Sequence, residues 1–154
     1  MRKQQEISTL IPHGPGMSLI DEIVDWDQQT LAARTMSHTA PDNPLRGQKG
    51  LHCIHLVEYA AQCMALHAAL TAVLHATQPM VVGALRNIHL PDVNLDTLTS
   101  PLLIQVDIAM TGKSGAIYNF SVGHQGTSTG SGRVTLLAPL FPSPNQGVSI
   151  LSLQ

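Results

Sequence analysis

The chain has 154 residues, a formal net charge of −2 and only 12% charged side chains. It therefore lacks the basic stripe of a nucleic-acid binder and the cationic cluster of a membrane-surface binder. That length predicts a single domain over residues 1–154 with one sizeable core, and neither an internal repeat nor a linker divides it.

The opening, MRKQQEISTLIPHGPGM, has no apolar stretch before its Pro and Gly residues, so a secretory signal is not expected. Residues 20–26 and 31–37 read as two short strands around a DQQT turn. Residues 39–50 carry Pro41, Pro44, Gly47 and Gly50 and read as a loop. A long helix follows, expected from His52 to Thr77 and ended by Pro79. Its apolar run contains Glu58, Gln62 and His67, a set that argues for a buried helix rather than a membrane span. Cys53 and Cys63 lie in it with Cα atoms roughly 15 Å apart, beyond disulfide reach. Two free thiols suit a cytoplasmic protein.

Four strands are expected after the helix, over residues 80–90, 102–110, 116–123 and 132–140. In the second of these, Ile104, Val106, Ile108 and Met110 alternate with Gln105 and Asp107 and should face the core together. TGKSG and GHQGTSTGSG read as Gly-rich hairpin turns. Residues 142–154 read as a loosely held tail. One long apolar helix beside five or six strands is an α+β pattern, met by a curved antiparallel sheet wrapped around the helix. A single sheet can hardly enclose such a helix, so a dimer with sheets joined edge to edge is expected.

The polar residues of the helix fall into two stripes. With Glu58 at 0°, Gln62 lies near 40° and His55 near 60°, close to the helix N-terminus. His67, Thr71 and His75 lie at about 180°, 220° and 260° and read as the solvent side of the far end. A carboxylate buried among apolar groups costs several kcal/mol unless it is paired or used. Near a helix start, free N–H groups can hold a carbonyl oxygen as it gains negative charge, and Glu58 could act on the attached chain. Alternatively, Glu58 is an acid of the capping region stabilised by the helix dipole.

Two segments carry a family resemblance. LIPHGPGMSLIDEI, residues 10–23, resembles the L-P-H-R-x-P-x-L-L-x-D opening of hotdog-fold 3-hydroxyacyl-acyl-carrier-protein dehydratases. LVEYAAQ, residues 56–62, resembles their E-x-x-A-Q helix motif. The likeness spans about residues 8–140 and is closest to the dehydratase-like proteins of aryl polyene biosynthesis. Their central L-P-A-W-x-G-I-E-Y-M-A-Q is matched at Leu51, Glu58, Tyr59, Ala61 and Gln62.

The resemblance implies a hotdog fold and elimination of water from a 3-hydroxyacyl thioester carried on acyl carrier protein or coenzyme A. No cofactor and no metal are implied. In the family a histidine removes the α-proton, and a carboxylate on the neighbouring subunit's helix helps the 3-hydroxyl leave. Glu58 would be that carboxylate. Backbone N–H groups at the helix start, about Cys53 and Ile54, would polarise the thioester carbonyl, and Gln62 would brace Glu58 or a neighbouring loop.

The chain departs from the pattern at the base. The G-H-F-P histidine precedes the family's glutamate by fourteen residues, and that spacing lands on Pro44. The family's Pro-Gly pair at the helix start is replaced by His52 and Cys53. Candidate replacement bases are His13 in the opening motif, His55 one turn from Glu58, His52 at the helix start and His38 before the loop. A metal site from His52, His55 and Glu58 is disfavoured by the 120° they span on a helix. A Cys63–His67 nucleophile pair is geometrically available, though Cys63 reads as a small core residue. The missing histidine raises a second function, a catalytically weak hotdog subunit pairing with an active dehydratase as a heterodimer rather than a homodimer. A third is a hotdog acyl thioesterase.

Overall fold

A computed structural model describes residues 2–10, 16–73 and 80–138. Its elements in chain order are β1 (Arg2–Lys3), α1 (Gln4–Ile7), β2 (Glu22–Trp26), β3 (Thr30–Thr35), α2 (Leu56–Thr71), β4 (Val81–His89), β5 (Leu102–Gly112), β6 (Gly115–His124) and β7 (Thr127–Leu137). All strands join one antiparallel sheet in the order β1-β2-β3-β5-β6-β7-β4. Helix α2 packs across one face, against β3, β5 and β6.

The core between helix and sheet follows from residue alternation. Leu31 and Ala33 of β3, Leu102, Ile104 and Val106 of β5, and Tyr118, Phe120 and Val122 of β6 are all buried against α2 side chains such as Leu56, Tyr59, Met64 and Leu66. At about 25 cal/mol per Å² of apolar surface removed from water, this layer is the main source of stability. The alternation in β5 holds as far as Ile108, which is half-buried and packed against the core. A bulge at Ala109 then inserts one residue, so Met110 is 63% exposed instead of facing the core.

The β6–β7 connection is tighter than GHQGTSTGSG suggested. His124 pairs with Thr127, leaving a two-residue turn of Gln125 (φ 51°) and Gly126 (φ 76°). Positive φ at both positions is the type I′ geometry that suits a twisted hairpin. Strand β7 therefore starts at Thr127 rather than near residue 132. Its glycines serve close packing: a Cβ on Gly132 would sit 2.4 Å from Ile88 Cδ1, and one on Gly130 would sit 3.0 Å from Leu56 Cδ1.

The long helix is also shorter than expected. Cys53–His55 form a 3₁₀ turn, α2 proper starts at Leu56, and Ala72 at φ 52° terminates it after Thr71. Thr71 turns its hydroxyl back onto the His67 carbonyl at 2.7 Å, a local bond that competes with further helix. His75 and Pro79 lie outside the described residues, as do His13 and the tail 142–154. No helix among the described residues is long and apolar enough to cross a membrane.

Candidate active site around Glu58 and Gln62

The approach to α2 is held from outside. Leu51 N–H donates to Asp96 Oδ1 at 3.0 Å, Leu95 N–H donates to the Leu51 carbonyl at 2.7 Å, and Arg46 binds the same Asp96 at 2.8 Å. These N–H and guanidinium contacts hold the Asp96 carboxyl below its usual range, the Leu51 amide contributing most. Gly50 passes so close, at φ 99°, that a Cβ there would sit 2.9 Å from Asn94 Nδ2 and the Asp96 carboxylate. The start of the helix is thus fixed against the β4–β5 connection, and Glu58 is set in its first turn, half-buried.

Gln62, one turn further on and fully buried, ties Glu58 to the opening motif. Its Oε1 accepts from Leu19 N–H at 2.9 Å. Its Nε2 donates to the Met17 carbonyl at 2.8 Å and to Glu58 Oε1 at 3.4 Å. One acceptor and two donor hydrogens are used, so neither amide orientation nor rotamer is free. Gln62 thus bonds both the carboxylate and the loop.

Tyr59, beside Glu58, anchors the other loop. Leu19 O accepts from Thr35 Oγ1 and Ser37 Oγ, both at 2.6 Å. Tyr59 Oη lies 3.0 Å from Ser37 Oγ and accepts from Asn43 Nδ2 at 3.0 Å. With the Ser37 hydrogen committed to Leu19, the tyrosine hydroxyl is the donor of that pair. Burial pushes the phenol pKa up. Ser37, Asn43 and Tyr59 escaped sequence reasoning, although Tyr59 is one of the matched motif positions. The signal was there in an Asn inside a Pro-rich loop, where a side chain must satisfy backbone groups.

The histidines are dispersed. His52 is exposed, and its Nδ1 accepts from Ile54 N–H at 3.1 Å, capping the 3₁₀ turn. Cys53 is buried beside it, Sγ 3.8 Å from the same Nδ1. The Ile54 amide, a candidate carbonyl-binding group, is thus turned onto its own neighbour's ring. His55 is half-buried and lies in the 3₁₀ turn, which advances about 120° per residue, so the α-helical angle of 60° to Glu58 does not apply. Among the described residues, His52, His55 and Glu58 do not make a metal-binding group.

His38 is buried, its Nε2 2.9 Å from the Leu98 carbonyl, which requires that nitrogen to donate. Its Nδ1 has no partner among the described residues. Burial is the main cause holding its pKa below 6.5. His67 overturns the solvent-side reading of the second stripe, for it is wholly buried. Its Nε2 lies 3.0 Å from the Asp27 carbonyl and its Nδ1 lies 2.8 Å from Tyr118 Oη. The carbonyl can only accept, so Nε2 carries the hydrogen and Nδ1 accepts from the tyrosine. With both ring nitrogens occupied this way, His67 is not poised as a base for Cys63. Cys63 itself is fully buried, which pushes its thiol pKa far up. Both cysteines are free.

A cavity of about 250 Å³ lies at the other end of α2, lined by Gln28, Gln29, Val73, Ile108 and Met110. It is separate from Glu58.

Residues 5–146 match the model of the ApeP-like family, described as ApeP dehydratase. The chain belongs to the ApeP-like dehydratase family. The match takes in both motifs and every element from β2 to β7. No curated protein sequence matches the chain. Among solved structures, the dehydratase heterocomplex ApeI:P from Xenorhabdus doucetiae aligns with TM-score 0.74 at 16% identity, over 86% of this chain and 90% of that one. A mutant thioesterase from Pseudomonas aeruginosa aligns with TM-score 0.61 at 14% identity, over 89% and 94%. A hypothetical thioesterase from Streptococcus pneumoniae, solved with coenzyme A, aligns with TM-score 0.56 at 16% identity, over 77% and 84%. At these identities the structural likeness establishes the fold, which is hotdog. The family match makes the protein dehydratase-like.

Proposed function

We propose that Glu58 serves the elimination of water from a 3-hydroxyacyl thioester, carried on acyl carrier protein or coenzyme A, in a site completed by a second hotdog subunit. A base takes the α-proton. The electron pair forms the 2,3 double bond, and the 3-hydroxyl departs as water with a proton from the Glu58 carboxyl. The observation that carries this reading is the Gln62 clamp, which fixes Glu58 to Met17 and Leu19 of the opening motif. A carboxylate needed only for capping requires no such clamp. Incubation with a 3-hydroxyacyl-acyl carrier protein should give a product 18 mass units lighter, and Glu58→Gln should abolish it. Equal conversion by both proteins refutes the role.

A second reading has its own observation. Pro44 stands where the family's loop histidine belongs, and the Ile54 amide is occupied by His52. Both favour a subunit that supplies Glu58 and a wall of the acyl slot while its partner supplies the base. A related structure being a dehydratase heterocomplex supports this version. Dehydration by the isolated chain, undiminished after removal of every other hotdog protein, would exclude it.

A further inference from the structure

The face of the sheet turned away from α2 carries a row of polar residues in matched register. Asp107 of β5 lies opposite Asn119 of β6, Asn119 opposite Arg133 of β7, and Arg133 opposite Arg86 of β4. The first steps are hydrogen-bonded: Asn119 Nδ2 donates to Asp107 Oδ2 at 2.8 Å, and Arg133 Nε donates to Asn119 Oδ1 at 2.8 Å. The last step sets arginine opposite arginine in the register. Like charges directly opposite one another weaken a sheet. Neither Arg86 nor Arg133 has an ion pair among the described residues, whereas Arg34 is paired with Glu22 and Arg46 with Asp96.

This unbalanced step lies at the border of the sheet. Among the described residues, strand β4 is bonded to β7 on one side and to no strand on the other. Val81, Val82 and Leu85 on it are 49%, 45% and 43% exposed. A nine-residue edge that exposes these apolar side chains is a template for strand addition.

We propose that the β4 edge takes the edge strand of a second, non-identical hotdog subunit that places a carboxylate opposite Arg86. This rests on the two-subunit reading above and adds the feature that selects the partner. An acid there extends the row with opposite charge at the point where the chain's own residues leave it unbalanced. A second copy of this chain does the reverse. With a two-fold axis near Leu85, the middle of β4, the two Arg86 Cα atoms come roughly 8 Å apart, each with Arg133 behind it. Four guanidinium groups then share one patch.

The test uses the chain itself as the probe of an acidic edge. Wild type and Arg86→Glu, each first shown to melt at the same temperature, are mixed in equal amounts and weighed by native mass spectrometry. The ratio of mixed to like dimers should rise about threefold over random pairing at low salt, taking the mixed dimer from one half to about three quarters of the total. The excess should fade toward the random share at 0.5 M salt, where charges are screened beyond about 4 Å. Arg86→Gln, which removes the charge without reversing it, should give a smaller excess. A mixed dimer at its random share overturns the proposal, as does failure of any pair to associate. Dimers that survive Val82→Asp with Leu85→Asp place the interface elsewhere and overturn it too. The Glu58 assay is read separately, so random mixing with an active Glu58 refutes the selector and leaves the dehydratase reading standing.

Discussion

Gln62 and Glu58 stand one helical turn apart, and the single carboxamide of Gln62 binds both the Glu58 carboxylate and the loop of Met17 and Leu19. The two family motifs meet in one side chain, with Leu19 and Gln62 43 positions apart in the chain. Removing it should disturb the site and the fold differently. In Gln62→Ala the buried Leu19 N–H and Met17 carbonyl lose their partners, at a cost of about 1–3 kcal/mol for each group left unsatisfied. Gln62→Glu keeps the volume and an acceptor for Leu19, but it sets a second acid beside Glu58 and faces the Met17 carbonyl. Thermal melting should drop for both. Turnover, measured at a temperature where both are folded, should fall further for Gln62→Glu; equal turnover would mean Gln62 serves only the fold.

Glu58→Gln preserves shape and removes the proton donor. Dehydration should fall by about 10²–10⁴-fold, the usual contribution of a positioned acid or base, while the melting temperature stays within about 2 °C. Loss of stability alongside activity would assign Glu58 to the fold instead.

His52 occupies the Ile54 amide. His52→Ala should remove about 1 kcal/mol of capping energy and leave that N–H available to a thioester carbonyl. If the amide polarises the carbonyl, KM or turnover for a 3-hydroxyacyl thioester improves despite the lower stability. Unchanged kinetics would show that the Ile54 amide takes no part.

Stability should fall on mild acidification. Burial holds the pKa values of His67 and His38 below 6.5 in the folded protein. The unfolded chain therefore binds more protons as pH falls through 6.5, and folding loses free energy from there downward to the folded values. Above 6.5 both rings are neutral in either state and the contribution is complete. Melting curves between pH 7.5 and 5 should show the decline, and His67→Gln should lessen it. A flat profile would mean both rings accept a proton in place.

Tyr118 Oη donates to His67 Nδ1 at 2.8 Å, and the two rings meet edge to face with centroids 5.6 Å apart. Tyr118→Phe keeps the packing but strips the donor, leaving Nδ1 buried without a partner. A loss of about 1–2 kcal/mol is expected, read as a lower denaturant midpoint at unchanged slope.

Local pattern settled the architecture. Alternation in β3, β5 and β6 and the largely apolar helix are properties of neighbouring residues, and most of the burial follows directly from them. The two motifs likewise made the family legible, together with Glu58 and Gln62, because they are contiguous. Tertiary structure decided what depends on distant partners. The bulge at Ala109, set by the pairing of β5 with β6, changed which residues face the core. His67 looked like a solvent-side residue until Tyr118 and the Asp27 carbonyl, from two other elements, supplied what burial of an imidazole requires. The Arg133–Arg86 step was invisible for the same reason, since cross-strand register is set by hydrogen bonding between segments remote in sequence.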